Sequence, residues 1–134
     1  MRILARVANS HSTHTVHLAT DGTPHSLSIS PKATGQGSSV NGGELLFLAL
    51  ATCYCNDLYR EAASRQITVH AVEVEVSGEF GGRGDPATGI TYRASVRADA
   101  SDAQIRALMA ETDRVAEIQN TLRGGCAVRF AGTA

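Results

Sequence analysis

The feature that most constrains the fold is one long apolar segment, which occupies residues 43–65 with the sequence GELLFLALATCYCNDLYREAASR. Up to Cys53 its apolar side chains cover nearly the whole circumference of a helix, and polar residues become frequent only from Asn56 onward. A helix that is apolar all round has to be covered on every side. The strongly apolar part is only residues 44–54; it contains Glu44 and is far shorter than a membrane span, so it predicts a buried core helix and no membrane segment. In a chain of 134 residues, a second subunit is a natural source of that cover.

The segments before this helix show the alternation that is typical of strands. Residues 2–8, 13–20 and 25–30 predict a three-stranded antiparallel meander, with a tight turn at an Asp-Gly pair in residues 21–22. In the third segment Leu27 and Ile29 are expected to face inward, and a proline is expected to end the strand.

After the helix, valine alternates with glutamate in residues 68–80, which predicts a strong strand. The alternation changes parity between Ala71 and Val72, which indicates a β-bulge. Residues 81–89 are rich in glycine and predict a hairpin loop, and residues 90–98 predict the return strand.

A second helix is predicted from Ser101, because Ser101 and Gln104 have the spacing of a capping box. Two glycines at 124–125 are expected to end the helical region, and residues 127–130 predict a short final strand. The elements follow the order β-β-β-α-β-β-α-β in a single domain over residues 1–134. Antiparallel hairpins joined by long helices predict the α+β fold class.

Composition and charge exclude several classes of function. The formal net charge is -1, and the basic residues form no cluster with aromatic ones, so we expect no nucleic-acid partner. The five histidines contain no helical H-x-x-x-H pair and the C-x-C at residues 53–55 has no partner pair, so no metal site and no cofactor are predicted. Three cysteines without an apolar run of signal-peptide length predict free thiols in a cytoplasmic protein.

The apolar segment carries a family resemblance. The stretch Gly43-Glu-Leu-Leu-Phe-Leu-Ala-Leu-Ala-Thr-Cys53 is similar to the P-x-E-L-L-L-A-A-L-A-x-C signature of the OsmC/Ohr family (osmotically induced protein C / organic hydroperoxide resistance). The valine-rich strand and the N-T-L-R-G-G segment at 120–125 fall where family members have theirs, so the resemblance covers nearly the whole chain. It implies an OsmC-like fold in an intertwined homodimer, with central helices between curved sheets and active sites at the subunit interface. Well-studied members are cysteine-dependent peroxidases that act on organic hydroperoxides.

The resemblance also assigns residues. Cys53 matches the peroxidatic cysteine, whose thiolate attacks the distal peroxide oxygen and becomes a sulfenic acid that a second thiol resolves. The family's resolving cysteine falls on Ala116, and its activating glutamate falls on Gly43, next to Glu44. Cys126 lies ten residues after Ala116, so it does not match the resolving position.

The family's activating arginine is also missing. Residues 10–58 contain no arginine, so only Lys32 could supply a cation from this region, and lysine cannot reproduce the bidentate fork of arginine. Within the helix, Asp57 lies one turn after Cys53 and is expected to raise the thiol pKa. Arg60 lies two turns after Cys53 and is expected to lower it.

Each candidate residue also has an ordinary structural interpretation. Cys53 suits a buried helix as a small apolar side chain, and Glu44 suits a helix N-terminus as a first-turn acid. Glu44 lies roughly 13 Å along the helix and about 180° around it from Cys53, so it would serve only a thiol of another subunit. Cys55 points about 160° away from Cys53. Cys126 is either an uninvolved thiol or an unconventional resolving cysteine.

Two hypotheses from different classes follow. In the first, the protein uses Cys53 to reduce hydroperoxides in oxidative stress defence, either weakly or with an external thiol reductant that replaces the missing resolving cysteine. In the second, it is a noncatalytic homodimer that binds a small apolar ligand at the subunit interface. In a third possibility, the first hypothesis holds and Cys126 serves as the resolving cysteine.

Overall fold

The structure is a computed structural model that describes residues 1–133. It confirms the α+β class, and its elements run in the order β1 (Ile3–Ser10), β2 (Thr13–Thr20), β3 (Thr23–His25), α1 (Gly42–Ser64), β4 (Val69–Phe80), β5 (Ala87–Ala98), α2 (Asp102–Val115) and α3 (Glu117–Arg123). The chain forms two compact units, one over Met1–Leu45 and the other from Leu46 onward. Within residues 1–133, no helix is long and apolar enough to cross a membrane.

The first unit contains the antiparallel sheet β1-β2-β3. Strands β1 and β2 pair over their full length, from Ile3 opposite Thr20 to the tight turn after Ser10. The predicted Asp-Gly turn is confirmed: Asp21 and Gly22 have φ values of 49° and 82°. Positive φ at both central residues is the geometry of a type I′ hairpin turn.

The prediction of a third strand over residues 25–30 is wrong. Strand β3 is only Thr23–His25, because the two-residue turn brings Thr23 directly opposite Thr20 and residues 26–30 find no strand partner. Without a sheet the two-residue side-chain period is lost. Ile29 is buried as expected, whereas Leu27 is 41% exposed.

The core of the second unit lies where α1 and α2 pack on the β4-β5 hairpin. Its buried cluster consists of Tyr54, Leu58, Ala62 and Leu108, and partly buried side chains of both strands pack against it. Leu58 and Leu108 are fully buried, and each such leucine contributes roughly 1.5–3 kcal/mol. On β4, valines alternate toward this cluster while the glutamates between them stay exposed.

The predicted bulge in β4 is confirmed between Val69 and Ala71, and a second irregularity occurs between Ser77 and Glu79. Gly78 lies at the second one, where a Cβ atom would come within 2.9 Å of the Phe47 ring. The hairpin loop is shorter than predicted, because β5 already begins at Ala87.

The predicted capping box is confirmed, and the helical region that follows it is divided. The Ser101 hydroxyl accepts from the Gln104 N–H at 3.2 Å, and the Gln104 side chain accepts from the Ser101 N–H at 2.9 Å. Helix α2 stops before Ala116, whose extended backbone (ψ 107°) turns the chain into the short helix α3. Helix α3 ends at Gly124 and Gly125, as predicted.

The predicted final strand is wrong. Within residues 1–133, no strand follows β5, so the observed order is β-β-β-α-β-β-α-α. Val128 and Phe130 are 98% and 91% exposed, and their segment pairs with no described strand. Apolar alternation predicts a strand only where a neighbouring strand supplies the hydrogen-bond ladder and a surface to pack on.

Candidate functional site

The Cys53 side chain lies half-buried in the middle of α1 and faces the start of α3. Its thiol donates to Asp57 Oδ2 at 3.3 Å, and Asp57 lies one turn further along the same helix face. Glu117 Oε2, from the first residue of α3, is 3.9 Å from the sulfur. The Ile118 backbone N–H, at the same end of α3, lowers the pKa of the thiol. The thiol therefore lies among groups from two helices.

Arg60 completes this arrangement. Its Nη1 is 2.8 Å from Asp57 Oδ1 and 3.3 Å from Glu117 Oε1, so one guanidinium binds both carboxylates. Its Nε also binds Glu61 at 3.1 Å. We call Cys53, Asp57, Arg60 and Glu117 the thiol cluster. In this cluster the arginine contacts carboxylates, and its described contacts do not include the sulfur.

The electrostatics of the thiol cluster keep the proton on the sulfur. Burial raises the pKa of the Cys53 thiol, and the Asp57 and Glu117 carboxylates raise it further, against the opposing effect of the Ile118 N–H. This confirms the effect predicted for Asp57. Burial also raises the pKa of Asp57, and Glu117 adds to that effect. The pKa of Glu117 is lowered by a backbone hydrogen bond and by its contacts with Asp57 and Arg60.

The same residues present a set of metal-ligand atoms. The Cys53 sulfur and one oxygen each from Asp57 and Glu117 lie within 4.8 Å of one another. Sulfur and carboxylate oxygen are ligands that zinc accepts, although structural zinc sites have four ligands. Arg60 binds both carboxylates and offsets part of their negative charge from within the protein.

The other two cysteines lie apart from this cluster. Cys55 faces another side of α1, where it lines a shallow depression of about 270 Å³ with residues that include Val74. Cys126 is exposed after α3, and its thiol donates to the Ala127 carbonyl at 3.8 Å. All three cysteines are free, and the described contacts of Cys53 are with acids and backbone.

Glu44 takes part in a capping box at the start of α1. Its Oε2 accepts from the Asn41 N–H at 2.8 Å, and Asn41 Oδ1 accepts from the Glu44 N–H at 2.9 Å. This pairing satisfies two N–H groups at the helix N-terminus. The described contacts of Glu44 thus correspond to its structural interpretation as a first-turn acid.

Ala116, the position that the resemblance assigned to a resolving cysteine, is fully buried and directly precedes Glu117. It therefore adjoins the residue that contacts the Cys53 sulfur. Glu117 was not among the residues singled out from the sequence, because it is 64 positions from Cys53. Its place next to Ala116 was the one signal available for it.

A second group of paired residues links β5, α2 and α3. The Tyr92 hydroxyl donates to Asp113 Oδ1, and Arg123 Nη2 binds the same oxygen at 2.6 Å. We call Tyr92, Asp113 and Arg123 the tyrosine cluster. Tyr92 and Asp113 line an open cleft of about 460 Å³ together with Tyr54 and Met109. Burial raises the pKa of Tyr54 to about 12, so its hydroxyl keeps its proton and donates to the Met109 carbonyl at 2.9 Å.

Comparisons with known proteins agree on one family. A family profile described as "OsmC-like protein" matches residues 35–131. A search of curated proteins finds no match. An OsmC-like protein from Mycoplasma pneumoniae has a similar solved structure, with a TM-score of 0.62 at 16% identity, over 91% of this chain and 89% of that one.

Two further solved structures are similar. An OsmC-like protein of unknown function from Vibrio cholerae has a TM-score of 0.60 at 14% identity, over 88% of this chain and 92% of that one. An organic hydroperoxide resistance protein from Legionella pneumophila, also described as a predicted redox protein, has a TM-score of 0.53 at 20% identity, over 92% of this chain and 90% of that one. At these identities the likeness shows the fold alone.

Proposed function

The chain belongs to the OsmC-like family, and from this premise we propose that it is a redox protein in which Cys53 reduces organic hydroperoxides in oxidative stress defence. The observation that carries the proposal is the position of Cys53. It occupies the cysteine of the family signature and lies in a cluster of paired charges from two helices. The Legionella protein, described as an organic hydroperoxide resistance protein, supports the same chemistry.

The reaction has two stages. In the first, a sulfur lone pair of Cys53 attacks the distal peroxide oxygen, the O–O bond breaks, the alkoxide leaves as an alcohol, and the sulfur becomes a sulfenic acid. In the second, an external thiol forms a mixed disulfide with Cys53 and releases water, and another external thiol reduces that disulfide. An external thiol is required because Ala116 carries no sulfur and Cys126 has no described contact with Cys53.

The protein would work as a cytoplasmic homodimer. The apolar side chain of Leu48 on α1 is 54% exposed, and every residue of β1 is exposed, including Ile3 and Val7. The β4-β5 hairpin has only two strands in the described chain, which leaves two strand edges without partners. A second copy would cover these surfaces, and the cytoplasm would supply the thiol reductant.

The second candidate function is a noncatalytic homodimer that binds a small apolar ligand at the subunit interface. The observation that favours it is the raised pKa of the Cys53 thiol, because a protonated thiol is a poor nucleophile. The exposed apolar surface of α1 around Leu48 would then be part of the binding surface.

One experiment separates the two functions. The reduced protein receives one equivalent of cumene hydroperoxide, and mass spectrometry follows each cysteine over seconds. The proposal predicts that Cys53 is oxidised much faster than Cys55 and Cys126. It also predicts that Cys53→Ser abolishes turnover with an external thiol, whereas the matched variant Cys126→Ser has little effect. Equal rates at all three cysteines would contradict it and favour the ligand-binding function.

A further inference from the structure

The proposed reaction, on which this inference rests, has to move one proton. The thiol must lose a proton for its sulfur to attack, and the departing alkoxide must gain one. Burial and two carboxylates hold the proton on the Cys53 sulfur in the resting structure. A group in contact with the sulfur is therefore needed to accept that proton and pass it on.

The surroundings of Cys53 offer two groups that can accept a proton. Arg60 has donors only, and the Ile118 backbone N–H is a donor as well. The remaining described contacts of the sulfur are the carboxylates of Asp57, at 3.3 Å, and Glu117, at 3.9 Å. Glu61, the third acid nearby, binds the far side of the Arg60 guanidinium through Nε.

Three observations favour Asp57 over Glu117. Asp57 Oδ2 is the nearer acceptor, and it already receives the thiol hydrogen. The Asp57 side chain is 8% exposed, whereas that of Glu117 is 64% exposed, so water competes far less for a proton held on Asp57. Burial raises the pKa of Asp57, while the pKa of Glu117 is lowered, and a proton acceptor works best when its pKa lies nearer the operating pH.

We propose that Asp57 is a catalytic residue that carries the proton from the Cys53 thiol to the leaving oxygen of the hydroperoxide. Asp57 Oδ2 takes the thiol proton as the sulfur attacks the distal oxygen. The O–O bond breaks with its electron pair on the proximal oxygen, and the Asp57 carboxyl then protonates that oxygen to release the alcohol. The sulfenic acid retains the distal oxygen with its hydrogen, and Asp57 returns to the carboxylate.

Arg60 is the positioning residue of this arrangement. Its Nη1 binds Asp57 Oδ1 at 2.8 Å, which leaves Oδ2 directed at the sulfur 3.3 Å away. The two oxygens of one carboxylate thus have separate roles, since one is held by the arginine and the other exchanges the proton.

The test compares two electrophiles at the same thiol. Cumene hydroperoxide releases an alkoxide that needs a proton, whereas iodoacetamide releases iodide, which needs none. In Asp57→Asn the hydroperoxide rate at Cys53 should fall by about 100-fold, the lower range for loss of a general acid–base group. The iodoacetamide rate near neutral pH should instead rise several-fold, because loss of the neighbouring carboxylate lowers the thiol pKa.

Two variants complete the design. Asp57→Glu keeps a carboxylate and should recover much of the hydroperoxide rate, and it also serves if Asp57→Asn fails to fold. Asp99→Asn, the same substitution at an exposed aspartate that pairs with His70, should leave both rates unchanged.

The outcomes distinguish the two proposals. A fast wild-type hydroperoxide reaction that is unchanged in Asp57→Asn, or two rates that shift in the same direction, would overturn the role of Asp57 alone. A wild-type Cys53 that reacts no faster than Cys55 would overturn hydroperoxide reduction, and the role of Asp57 with it.

Discussion

The thiol cluster and the tyrosine cluster each contain an aspartate that binds an arginine and accepts a hydrogen bond from a weakly acidic group. Asp57 accepts from a thiol and binds Arg60, and Asp113 accepts from the Tyr92 hydroxyl and binds Arg123. Their pKa values nevertheless move in opposite directions: burial raises that of Asp57, whereas the hydrogen bond from Tyr92 and the pairing with Arg123 lower that of Asp113.

The difference comes from burial and from the number of acids for each arginine. Asp57 is more buried, and it shares Arg60 with Glu117 and Glu61. In the tyrosine cluster, Asp113 is the acid that pairs with Arg123, which also binds the Asp113 carbonyl at 3.1 Å. The pKa of a carboxylate is lowered when it has an arginine to itself, whereas burial and neighbouring acids raise the pKa of one that shares its arginine.

The largest expected effect is the formation of a new disulfide, which tests whether position 116 lies beside the thiol cluster or beside the tyrosine cluster. In Ala116→Cys, the new thiol lies next to Glu117, so one equivalent of hydroperoxide should convert Cys53 and the new thiol into an intramolecular disulfide. Met109→Cys, which introduces a thiol beside the tyrosine cluster, is the matched control and should give no such link. Peptide mapping under nonreducing conditions measures both. Absence of the link in an oxidised Ala116→Cys protein would separate Ala116 from the thiol site.

The second prediction concerns the two arginines. Arg60→Gln leaves Asp57 and Glu117 without their shared cation, so the Cys53 thiol pKa should rise further. The thiolate fraction near neutral pH should therefore fall, and the hydroperoxide rate at Cys53 should fall with it.

Arg123→Gln is the matched control for this effect, because it removes the same charge from the tyrosine cluster. Its Cys53 rate should equal that of the wild type, as measured by mass spectrometry over a pH series. If Arg60→Gln and Arg123→Gln lowered the hydroperoxide rate at Cys53 equally, the effect of Arg60 could not be attributed to its contacts in the thiol cluster.

These residues also show what the sequence could and could not predict. Helix α1, the bulge in β4 and the capping box at Ser101 depend on neighbours within a few positions, and all three were predicted correctly. The strands over 25–30 and 127–130 were not found, because alternation carries no information about whether a partner strand is present.

In the candidate site, too, local relations could be predicted from the sequence and long-range contacts could not. Cys53, Asp57 and Arg60 share one helix face and could be associated from their spacing. The contacts of Glu117 could not be, because they depend on how α3 packs on α1, over a separation of 57 to 64 residues. Arg60 was expected to act on the thiol, whereas its described contacts are with carboxylates.

The third prediction compares stability. Asp113→Asn removes the charged acceptor of Tyr92 and the partner of Arg123, and because Asp113 is partly exposed we expect a loss of about 1 kcal/mol in the free energy of unfolding. Asp57→Asn should be neutral or stabilising at pH 7, because it removes a buried charge that shares its arginine. Urea unfolding monitored by circular dichroism measures both. If Asp57→Asn lost more free energy of unfolding than Asp113→Asn, Asp57 would be the aspartate that contributes more to stability.

The smallest expected effect is the pH dependence of those stability differences. The folded pKa of Asp113 lies below its unfolded value of about 3.9, so its contribution is present above that pH and is lost as the pH falls through the folded pKa. The folded pKa of Asp57 lies above its unfolded value, so its contribution is present at low pH and is lost as the pH rises through the folded pKa.

Between pH 7 and pH 4, the wild type should therefore gain stability relative to Asp57→Asn. Its advantage over Asp113→Asn should remain down to about pH 4 and shrink only below it. Urea unfolding at pH 7, 5, 4 and 3 measures both differences. If both stability differences changed with pH in the same way, the two aspartates would titrate alike. The proposed proton-exchange role of Asp57 would then lose the property that distinguishes Asp57 from Asp113.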